Sequence, residues 1–561
     1  MFPSDTPKHH EELSDRQESA GLKPSLGPGT SHPGCNLPCK LGEVRSKSTD
    51  ADSSLWLLNR CYLYSLLYTT YAREPDEAFL SLLLEEQTSQ SLIMALGKES
   101  PLSALREKAG TPLFLENLRE EYTRLFVGPV VPASLPWESI YLTDAGLLFT
   151  ERTLLVRSYY KAFGFLPKAY QQVPDDSLAL ELGFLAELAK ESLHAWKQGN
   201  TPLLDKLLTG TYHFLCMHPL KWMDKLVCKI EETGSLTYAL LGKTLLEYLK
   251  KDKEALARFL KKETCQGLTC QGITFQGIEE ALHTLSSLSL SFPEHILVPS
   301  PEGPMLPKEA SPPDFSSSHI LEGGEWVNAP CWHNCGGKCL VRVYVKDGVI
   351  LRQGTDTEST DDETNRQQRA CLRGYSQKYQ ARGIDRLKYP MKRKHWNPGA
   401  PKGELRGIDE WERITWDEAS TYIHDELKRI TSTYGDNSVL AFGNGCTSLL
   451  NKLGINYLSP WTTSSWGSWY IPGVLGWGDG CNYYDCHNDR LDFLHCDYVV
   501  AFGYNPAWSA LGNATNYALS WKKAGVKFII FDPNYTDTSA ILEATWIPIR
   551  PGTDKIGRAH V

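Results

Sequence analysis

The chain contains the stretch Cys331-Trp332-His333-Asn334-Cys335-Gly336-Gly337-Lys338-Cys339, and a separate Cys371-Leu372-Arg373-Gly374 follows it. Three cysteines at this spacing can hold three corners of a cubane iron-sulfur cluster, and a distant fourth cysteine can complete it. Structural zinc sites more often use two closely spaced cysteine pairs. The pattern therefore favours a 4Fe-4S cluster bound by Cys331, Cys335, Cys339 and Cys371. Zinc, or thiols that cluster by chance, remain the alternatives.

Length and composition restrict the number of domains, the partners and the cysteine chemistry that the chain can have. At 561 residues it is too long for one ordinary core, which predicts several domains. The chain has 58 basic and 67 acidic residues and a net charge of -9. It therefore has no excess of positive charge for binding nucleic acid, and no nucleic acid partner is expected. Fifteen cysteines without an export signal favour reduced thiols and metal ligation.

No stretch approaches the ~20 apolar residues of a membrane span, so no direct membrane crossing is expected. Residues 1–47 contain neither an apolar signal core nor a twin-arginine pair. The sequence as written therefore predicts a cytoplasmic location. An exported location would apply only if two neighbouring genes had been joined in error.

The first half of the chain is predicted to be helical. Residues 1–52 have the composition of a disordered tail. Residues 53–262 show apolar residues at three and four spacing, as in Leu178, Leu182, Leu185 and Leu188, which predicts an all-α domain. Residues 263–323 are rich in Gly, Ser and Pro and are predicted to be a linker with one last short helix near residues 279–290.

The second half is predicted to contain strands. In residues 324–395, apolar alternation after Cys339 and the turn pair Asp347-Gly348 predict a β-hairpin beside the cysteines, in a small iron-sulfur domain. In residues 396–554, apolar runs at 438–442, 498–502 and 527–531 alternate with helical segments such as 508–524. This alternation predicts an α/β region with parallel strands. The fold class is therefore multidomain: an all-α domain, a small β domain and an α/β region.

Each predicted parallel strand ends in a polar turn that contains glycine or aspartate. Ligands of open α/β sheets bind at these ends, where backbone N–H groups can hold pyrophosphate. A nucleotide-like cofactor is therefore expected. The turns are Gly443-Asn444-Gly445, Gly503-Tyr504-Asn505-Pro506 and Asp532-Pro533-Asn534-Tyr535-Thr536-Asp537-Thr538.

The cysteine pattern and these turns, together with further motifs, resemble the catalytic subunit of the dimethyl sulfoxide reductase family of molybdopterin oxidoreductases. The resemblance covers residues 325–554. It implies a Rossmann-like α/β layer truncated at the C-terminus, a 4Fe-4S cluster and a bis(molybdopterin guanine dinucleotide) molybdenum cofactor. It also implies two-electron oxygen-atom transfer from a small S-oxide or N-oxide. The further motifs are residues 386–393, Ile414-Thr415-Trp416-Asp417-Glu418-Ala419 and Ile547-Pro548-Ile549-Arg550-Pro551-Gly552-Thr553-Asp554.

The resemblance also implies roles for individual residues. Arg373 matches the cationic residue between cluster and pterin, and it is taken as catalytic together with Ser465, the expected molybdenum ligand. Ser464 and Ser468 stay open as alternative ligands. An iron-sulfur electron-transfer subunit and a membrane anchor subunit are the implied partners. The positions expected to contact the guanine dinucleotides are Asn505, Asp532, Thr536, Arg550 and Asp554.

Motifs in the helical half resemble the TorD/DmsD family of redox-enzyme maturation chaperones, over residues 55–260. The resemblance implies binding of a twin-arginine leader peptide, and the residues expected to contact it are Trp137, Asp176, His218 and Trp222. Ser177 stands where the family commonly has histidine, which removes a titrating imidazole. The motifs are Glu121-Tyr122, Leu125-Phe126, Leu135-Pro136-Trp137-Glu138-Ser139, Pro174-Asp175-Asp176 and the pair His218 and Trp222.

Two explanations of the joined halves stay open. A genuine fusion raises the local concentration of chaperone around its client to roughly millimolar, and an error of gene prediction or assembly joins two genes of one operon. Residues 555–561 can be encoded by a sequence that matches a sequencing adapter, so they are expected to be an artefact. Two further hypotheses are a protein that works only as the chaperone, and a molybdopterin enzyme with another substrate.

Overall fold

The computed structural model describes residues 48–109, 113–128, 131–143, 146–261, 275–288, 295–304, 322–331, 339–355, 357, 367, 369–442, 447–452, 454–458, 491–508 and 514–552. Cys335, Ser464, Ser465, Ser468 and Asp554 lie outside these residues, as do residues 1–47 and 555–561. Among the described helices, none has the length and apolar character needed to cross a bilayer.

Residues 48–304, called the helical region below, pack their helices around one core. Its helices are α1 (Ser48–Ala72), α2 (Glu77–Leu84), α3 (Glu86–Leu96), α4 (Ser103–Ala109), α5 (Phe114–Tyr122), α6 (Glu138–Leu142), α7 (Glu151–Ala162), α8 (Leu178–Lys197), α9 (Thr201–Met217), α10 (Pro219–Glu232), α11 (Leu236–Leu260) and α12 (Phe275–Ser287). A π-helical turn, Thr123–Val127, follows α5.

The long helix α8 lies in the centre and packs against α1 and α9. Leu178, Leu182, Leu185 and Leu188 are all fully buried, as their spacing predicts. The helix begins where Ser177 accepts a hydrogen bond from the Leu180 amide, which satisfies one of the open N–H groups of the first turn. The sequence prediction of a helical first half is confirmed.

The boundaries of the helical region differ from the predicted ones. Helix α1 begins at Ser48, inside the predicted tail, because backbone hydrogen bonds extend a helix beyond the apolar residues that anchor it. Helix α12 belongs to the core although it lies in the predicted linker, since Ile278, Ala281 and Leu285 form a buried stripe. Strand β2 (Leu297–Pro299) pairs antiparallel with β1 (Phe165–Pro167) in the same region.

Residues 322–552, called the C-terminal half below, contain several small sheets. The strands are β3 (Glu325–Pro330), β4 (Leu340–Lys346), β5 (Val349–Thr355), β6 (Met391–Arg393), β7 (Trp411–Arg413), β8 (Leu440–Phe442), β9 (Asn456–Leu458), β10 (Tyr498–Phe502), β11 (Lys527–Asp532) and β12 (Thr545–Pro548). The helices are α13 (Leu372–Tyr375), α14 (Gln377–Arg382), α15 (Trp416–Tyr434), α16 (Thr447–Lys452), α17 (Ala514–Lys523) and α18 (Asp537–Leu542).

Strands β3, β4 and β5 form an antiparallel sheet in which Asp347 and Gly348 make the β4–β5 turn. Both turn residues have positive φ, 46° and 76°, which a two-residue hairpin turn requires and which an Asp-Gly pair provides. The predicted hairpin is confirmed.

Strands β10, β11 and β12 form a parallel sheet in that order. Helices α17 and α18 connect the strands, and Ala518, Trp521 and Leu542 pack from them onto Phe528 of β11. Helix α17, Ala514–Lys523, lies within the predicted helical segment 508–524. Strands β8 and β9 also pair in parallel, so the mixed helix and strand character predicted for this half is confirmed.

Candidate functional site

Strand pairing brings Cys331 and Cys339 together. Cys331 follows β3 and Cys339 precedes β4, and the Cys331 amide donates to the Cys339 carbonyl oxygen at 2.7 Å. Both cysteines are buried, and they pack with Val341 and Ala370. The antiparallel register thus holds two of the predicted ligands at one end of the sheet.

The segment that contains Cys371 packs beside this pair. The Ala370 amide donates to Thr355 Oγ1 at 2.8 Å, and Gln353 Nε2 donates to the Gly374 carbonyl oxygen at 2.8 Å, so β5 positions the start of α13. The approach is close, since a Cβ added to Gly374 would lie 3.1 Å from Cys331 Sγ. Glycine is therefore required one turn beyond Cys371. Cys331 and Cys339 therefore lie together, and the two neighbours Ala370 and Gly374 bring the Cys371 segment next to them.

The donor set fits a cubane cluster in chemical type. Within the described ranges, no three His, Cys, Asp or Glu side chains converge on one point that could hold a single metal ion. A cubane cluster makes a different demand, because each of its four thiolates binds a separate iron. Cys331, Cys339 and Cys371 supply thiols from three segments, while Cys335 lies outside the described residues.

Arg373 lies on α13 directly after the cysteine segment, and its side chain is exposed. It borders a cavity of about 730 Å³ that Ser376, Tyr379, Arg386 and Leu147 also line. Arg373, Arg386 and the acidic Asp385 therefore border one open space. The two arginines leave this lining with an excess of positive charge, which favours an anionic ligand.

The predicted nucleotide contacts share one edge of the β10–β12 sheet. Asn505 follows β10, Asp532 ends β11, Thr536 follows it and Arg550 follows β12. Because the three strands are parallel, their carboxyl ends meet at the same edge. The structure thus brings these four positions to one side of the sheet.

Hydrogen bonds link the turns at this edge. Thr538 Oγ1 donates to Asn505 Oδ1 at 2.6 Å and accepts from the Ala507 amide at 3.1 Å. Asp532 Oδ1 accepts from the Asn534 amide at 2.8 Å, and Thr536 caps α18 through the Ser539 amide. Thr538 was not predicted as a site residue, although it lies in the turn that drew attention to Asp532.

The four residues predicted to contact a leader peptide are buried in the helical region. Asp176 and Trp222 are fully buried, and Trp137 and His218 nearly so. Asp176 accepts hydrogen bonds from the Ser139 amide at 2.8 Å and from Thr153 Oγ1 at 2.7 Å. These contacts account for the residues as packing and positioning groups. Peptide contact stays a prediction.

Glu138 joins these residues into one network that the sequence did not reveal. Its carboxylate lies 2.9 Å from His218 Nδ1 and accepts from Arg152 Nε at 2.6 Å. Although burial opposes ionisation, His218 and Arg152 together lower the pKa of Glu138. Glu181, whose Oε2 accepts from Trp222 Nε1 at 3.3 Å, has a pKa raised well above the usual range by burial and by the charges of Glu138 and Asp176.

Comparison with family models matches three parts of the chain. Residues 94–227 match the nitrate reductase delta subunit family, residues 325–380 the molybdopterin oxidoreductase Fe4S4 domain, and residues 386–556 the molybdopterin oxidoreductase family. This chain joins a delta-subunit-type segment to a molybdopterin oxidoreductase segment. Both resemblances drawn from the sequence are confirmed at the level of family models.

Several relatives of the molybdopterin oxidoreductase segment are named as dimethyl sulfoxide reductase chains. The chain is 37% identical to the probable dimethyl sulfoxide reductase chain YnfF of Escherichia coli, over 42% of this chain and 29% of that protein. It is 37% identical to dimethyl sulfoxide reductase DmsA of Haemophilus influenzae, over 41% and 29%. The chain thus spans less than a third of the length of these relatives.

Proposed function

We propose that the C-terminal half is an oxidoreductase segment that binds a 4Fe-4S cluster through Cys331, Cys335, Cys339 and Cys371. The observation that carries the proposal is that buried Cys331 and Cys339 lie together at one end of the β3–β5 sheet, with Ala370, the neighbour of Cys371, packed against them, in a segment that matches the Fe4S4 domain. Burial of Cys331 and Cys339 suits a cluster, because exclusion of water tunes the reduction potential.

The second cofactor of the proposal is bis(molybdopterin guanine dinucleotide) molybdenum. When bound, it supplies two-electron oxygen-atom transfer. The residues of this chain would hold it at two places, Arg373 beside the cluster and the carboxyl edge of the β10–β12 sheet. At that edge the proposed contacts are Asn505, Asp532, Thr536, Arg550 and Asp554. Ser465 is the proposed molybdenum ligand, with Ser464 and Ser468 as alternatives.

The parallel β10–β12 sheet supports the proposal of a Rossmann-like layer. The proposed domains are the tail 1–52, the helical domain 53–262, the linker 263–323, the iron-sulfur domain 324–395 and the α/β region 396–554. The substrate class is a small S-oxide or N-oxide, as the names of the relatives suggest. An iron-sulfur electron-transfer subunit and a membrane anchor subunit are the proposed partners.

Electron paramagnetic resonance of the anaerobically purified, dithionite-reduced chain tests the cluster. The wild-type chain should give the signal of a reduced cubane cluster, and Cys331→Ser should lose most of it. The matched control is Cys496→Ser, an exposed cysteine of the same half, which should keep the signal. An unchanged signal in Cys331→Ser would contradict the ligand assignment.

A second candidate function concerns the helical region alone. The match of residues 94–227 to the nitrate reductase delta subunit family favours a maturation chaperone that binds a twin-arginine leader. Calorimetric titration of the full chain with such a leader peptide should show binding, and a twin-lysine version should bind more weakly because lysine lacks the planar fork of arginine. Equal affinity for both peptides would count against this function.

A further inference from the structure

The turn of the β4–β5 hairpin lies against helix α7 of the helical region. Arg157, which is buried, holds the Asp175 carboxylate through Nε at 3.0 Å and Nη2 at 2.6 Å. Its Nη1 donates to the backbone carbonyl oxygen of Asp347 in the turn. A guanidinium so fixed is pre-organised to meet one carbonyl group. A Cβ on Gly348 would also lie 3.0 Å from the Gln171 side chain, so the turn fits closely.

The residue after the turn enters an apolar cluster of the helical region. Val349 is fully buried, and it packs with Trp137, Leu148, Phe149 and Leu154. Burial of a valine side chain contributes about 1.5 kcal/mol or more in area terms. The hairpin therefore adds an apolar anchor to the polar contact at its turn.

A backbone contact continues the interface beyond the hairpin. The Leu148 amide donates to the Arg382 carbonyl oxygen at 2.9 Å, and Leu147 pairs with Gly383 as an antiparallel bridge. The Arg382 guanidinium carbon lies 4.1 Å from the centre of the Phe149 ring, a cation–π geometry. This second contact fixes the direction in which the chain leaves α14.

Two lysines complete the interface. Lys388 Nζ lies 4.5 Å from the centre of the Trp137 ring, and burial lowers the pKa of Lys388 to about 8. Lys394 Nζ lies 2.6 Å from Glu116 and 2.7 Å from Glu120, which are neighbours on one face of α5. It also lies 3.0 Å from Glu410 of its own half. Arg382, Lys388 and Lys394 are cations of the C-terminal half, whereas the rings and two of the carboxylates that they contact belong to the helical region.

We propose that the helical region carries a recognition site for the β4–β5 hairpin and the basic segment 382–394 of the same chain. This site, called the hairpin-docking surface, consists of Glu116, Glu120, Trp137, Leu148, Phe149, Leu154 and Arg157. The partner chemistry is specific: an Asp-Gly turn, a following valine and three cations in fixed positions. The helical region thereby holds the iron-sulfur part of the C-terminal half directly. The proposal adds to the function above and does not rest on any cofactor.

Docking also gives Trp137 a defined partner. Its ring lies under Lys388 and beside Val349, so a peptide in solution reaches it only after the hairpin has left. The hairpin and a cationic peptide would then compete for one surface. The docked state is the ground state of the joined chain, because the tether keeps the hairpin at a high effective concentration.

Native cleavage of the full chain tests the proposal. A protease site inserted between Pro304 and Glu322 lets the folded chain be cut, and analytical ultracentrifugation then reports whether the two halves stay together. Uncut samples and circular dichroism verify that each variant is folded. We expect the wild-type halves to sediment as one particle, and Lys394→Glu to weaken their association at least about tenfold through repulsion by Glu116 and Glu120.

Two further variants make the result specific to the interface. Lys523→Glu, the same charge change at an exposed position of α17, should leave the association unchanged. Adding Glu116→Lys and Glu120→Lys to Lys394→Glu should restore it, because the two new cations face both the introduced carboxylate and Glu410. Wild-type halves that separate on cleavage, or a reversed triple variant no tighter than Lys394→Glu, would overturn the proposal.

Discussion

At the scale of single residues, the helical region buries several carboxyl groups, and these groups differ in whether the ionised or the protonated form is favoured. Glu138 is matched by His218 and Arg152, whereas Glu181 has Trp222 as its hydrogen-bond donor and Oε1 without a partner among the described residues. A buried carboxylate without a cation is costly, so the protonated form is favoured. Glu181 therefore carries a cost of ionisation in the first turn of α8.

The cost of ionising the buried Glu181 predicts that the free energy of unfolding depends on pH. The pKa of Glu181 is raised in the folded state. Its contribution to the free energy of unfolding is therefore most favourable below the unfolded-state pKa and is lost as the pH rises through the folded-state pKa. Glu181→Gln removes that loss. We expect it to increase the free energy of unfolding at pH 8 by about 1 kcal/mol or more, with little change at pH 4.

Urea unfolding followed by tryptophan fluorescence at the two pH values measures this difference. The matched control is Glu191→Gln, an exposed carboxyl of the same helix, which should shift stability equally little at both. A Glu181→Gln chain that is less stable than wild type at pH 8 would show that the carboxylate is stabilising there.

Residue roles were the least predictable part of the sequence. Trp137, Asp176, His218 and Trp222 can be located by motif, but their burial depends on partners such as Ser139 and Thr153 that other segments supply. Glu138 was visible beside Trp137, yet nothing local shows that His218, 80 positions away, completes its ion pair. The cysteines could be singled out from the sequence because ligand spacing is itself a chemical signal, and their role as cluster ligands stays a prediction.

At the scale of elements, the β4–β5 hairpin could be predicted because an Asp-Gly pair between alternating strands has one favoured backbone geometry. Helix α12 could not be assigned to the core, since its stripe of Ile278, Ala281 and Leu285 is short and lies between Gly- and Ser-rich stretches. The place where the hairpin turn docks was also hidden, because Arg157 and Asp347 are 190 positions apart.

The turn offers a prediction with a matched control. Gly348 and Gly323 have nearly the same φ, 76° and 78°, but only Gly348 faces a neighbouring side chain, Gln171. Alanine strains the backbone equally at both positions. Gly348→Ala should therefore lower the free energy of unfolding by about 1 kcal/mol more than Gly323→Ala, because the extra methyl displaces Gln171.

Thermal or urea unfolding of the two variants under identical conditions provides the comparison. Equal losses for Gly348→Ala and Gly323→Ala would mean that the turn does not press against the helical region in solution. Such a result would weaken the docking proposal independently of the cleavage experiment.

At the scale of the whole molecule, the chain unites a helical region and a molybdopterin oxidoreductase segment, and the interface between them is built from the second segment's own hairpin. The order of the domains could be predicted from composition, since helical periodicity gives way to strand alternation after residue 324. The mutual packing could not, because it depends on long-range pairs such as Lys394 with Glu116 and Glu120. Hairpin docking and cluster binding are independent proposals, and a separate experiment tests each of them.

The central claim is that the C-terminal half binds a cubane iron-sulfur cluster. The most direct measurement is the content of iron, zinc and acid-labile sulfide per chain after anaerobic purification. The account predicts about four iron and four sulfide for each chain, with little zinc. Stoichiometric zinc without sulfide would contradict it and would assign Cys331, Cys335, Cys339 and Cys371 to a structural zinc site.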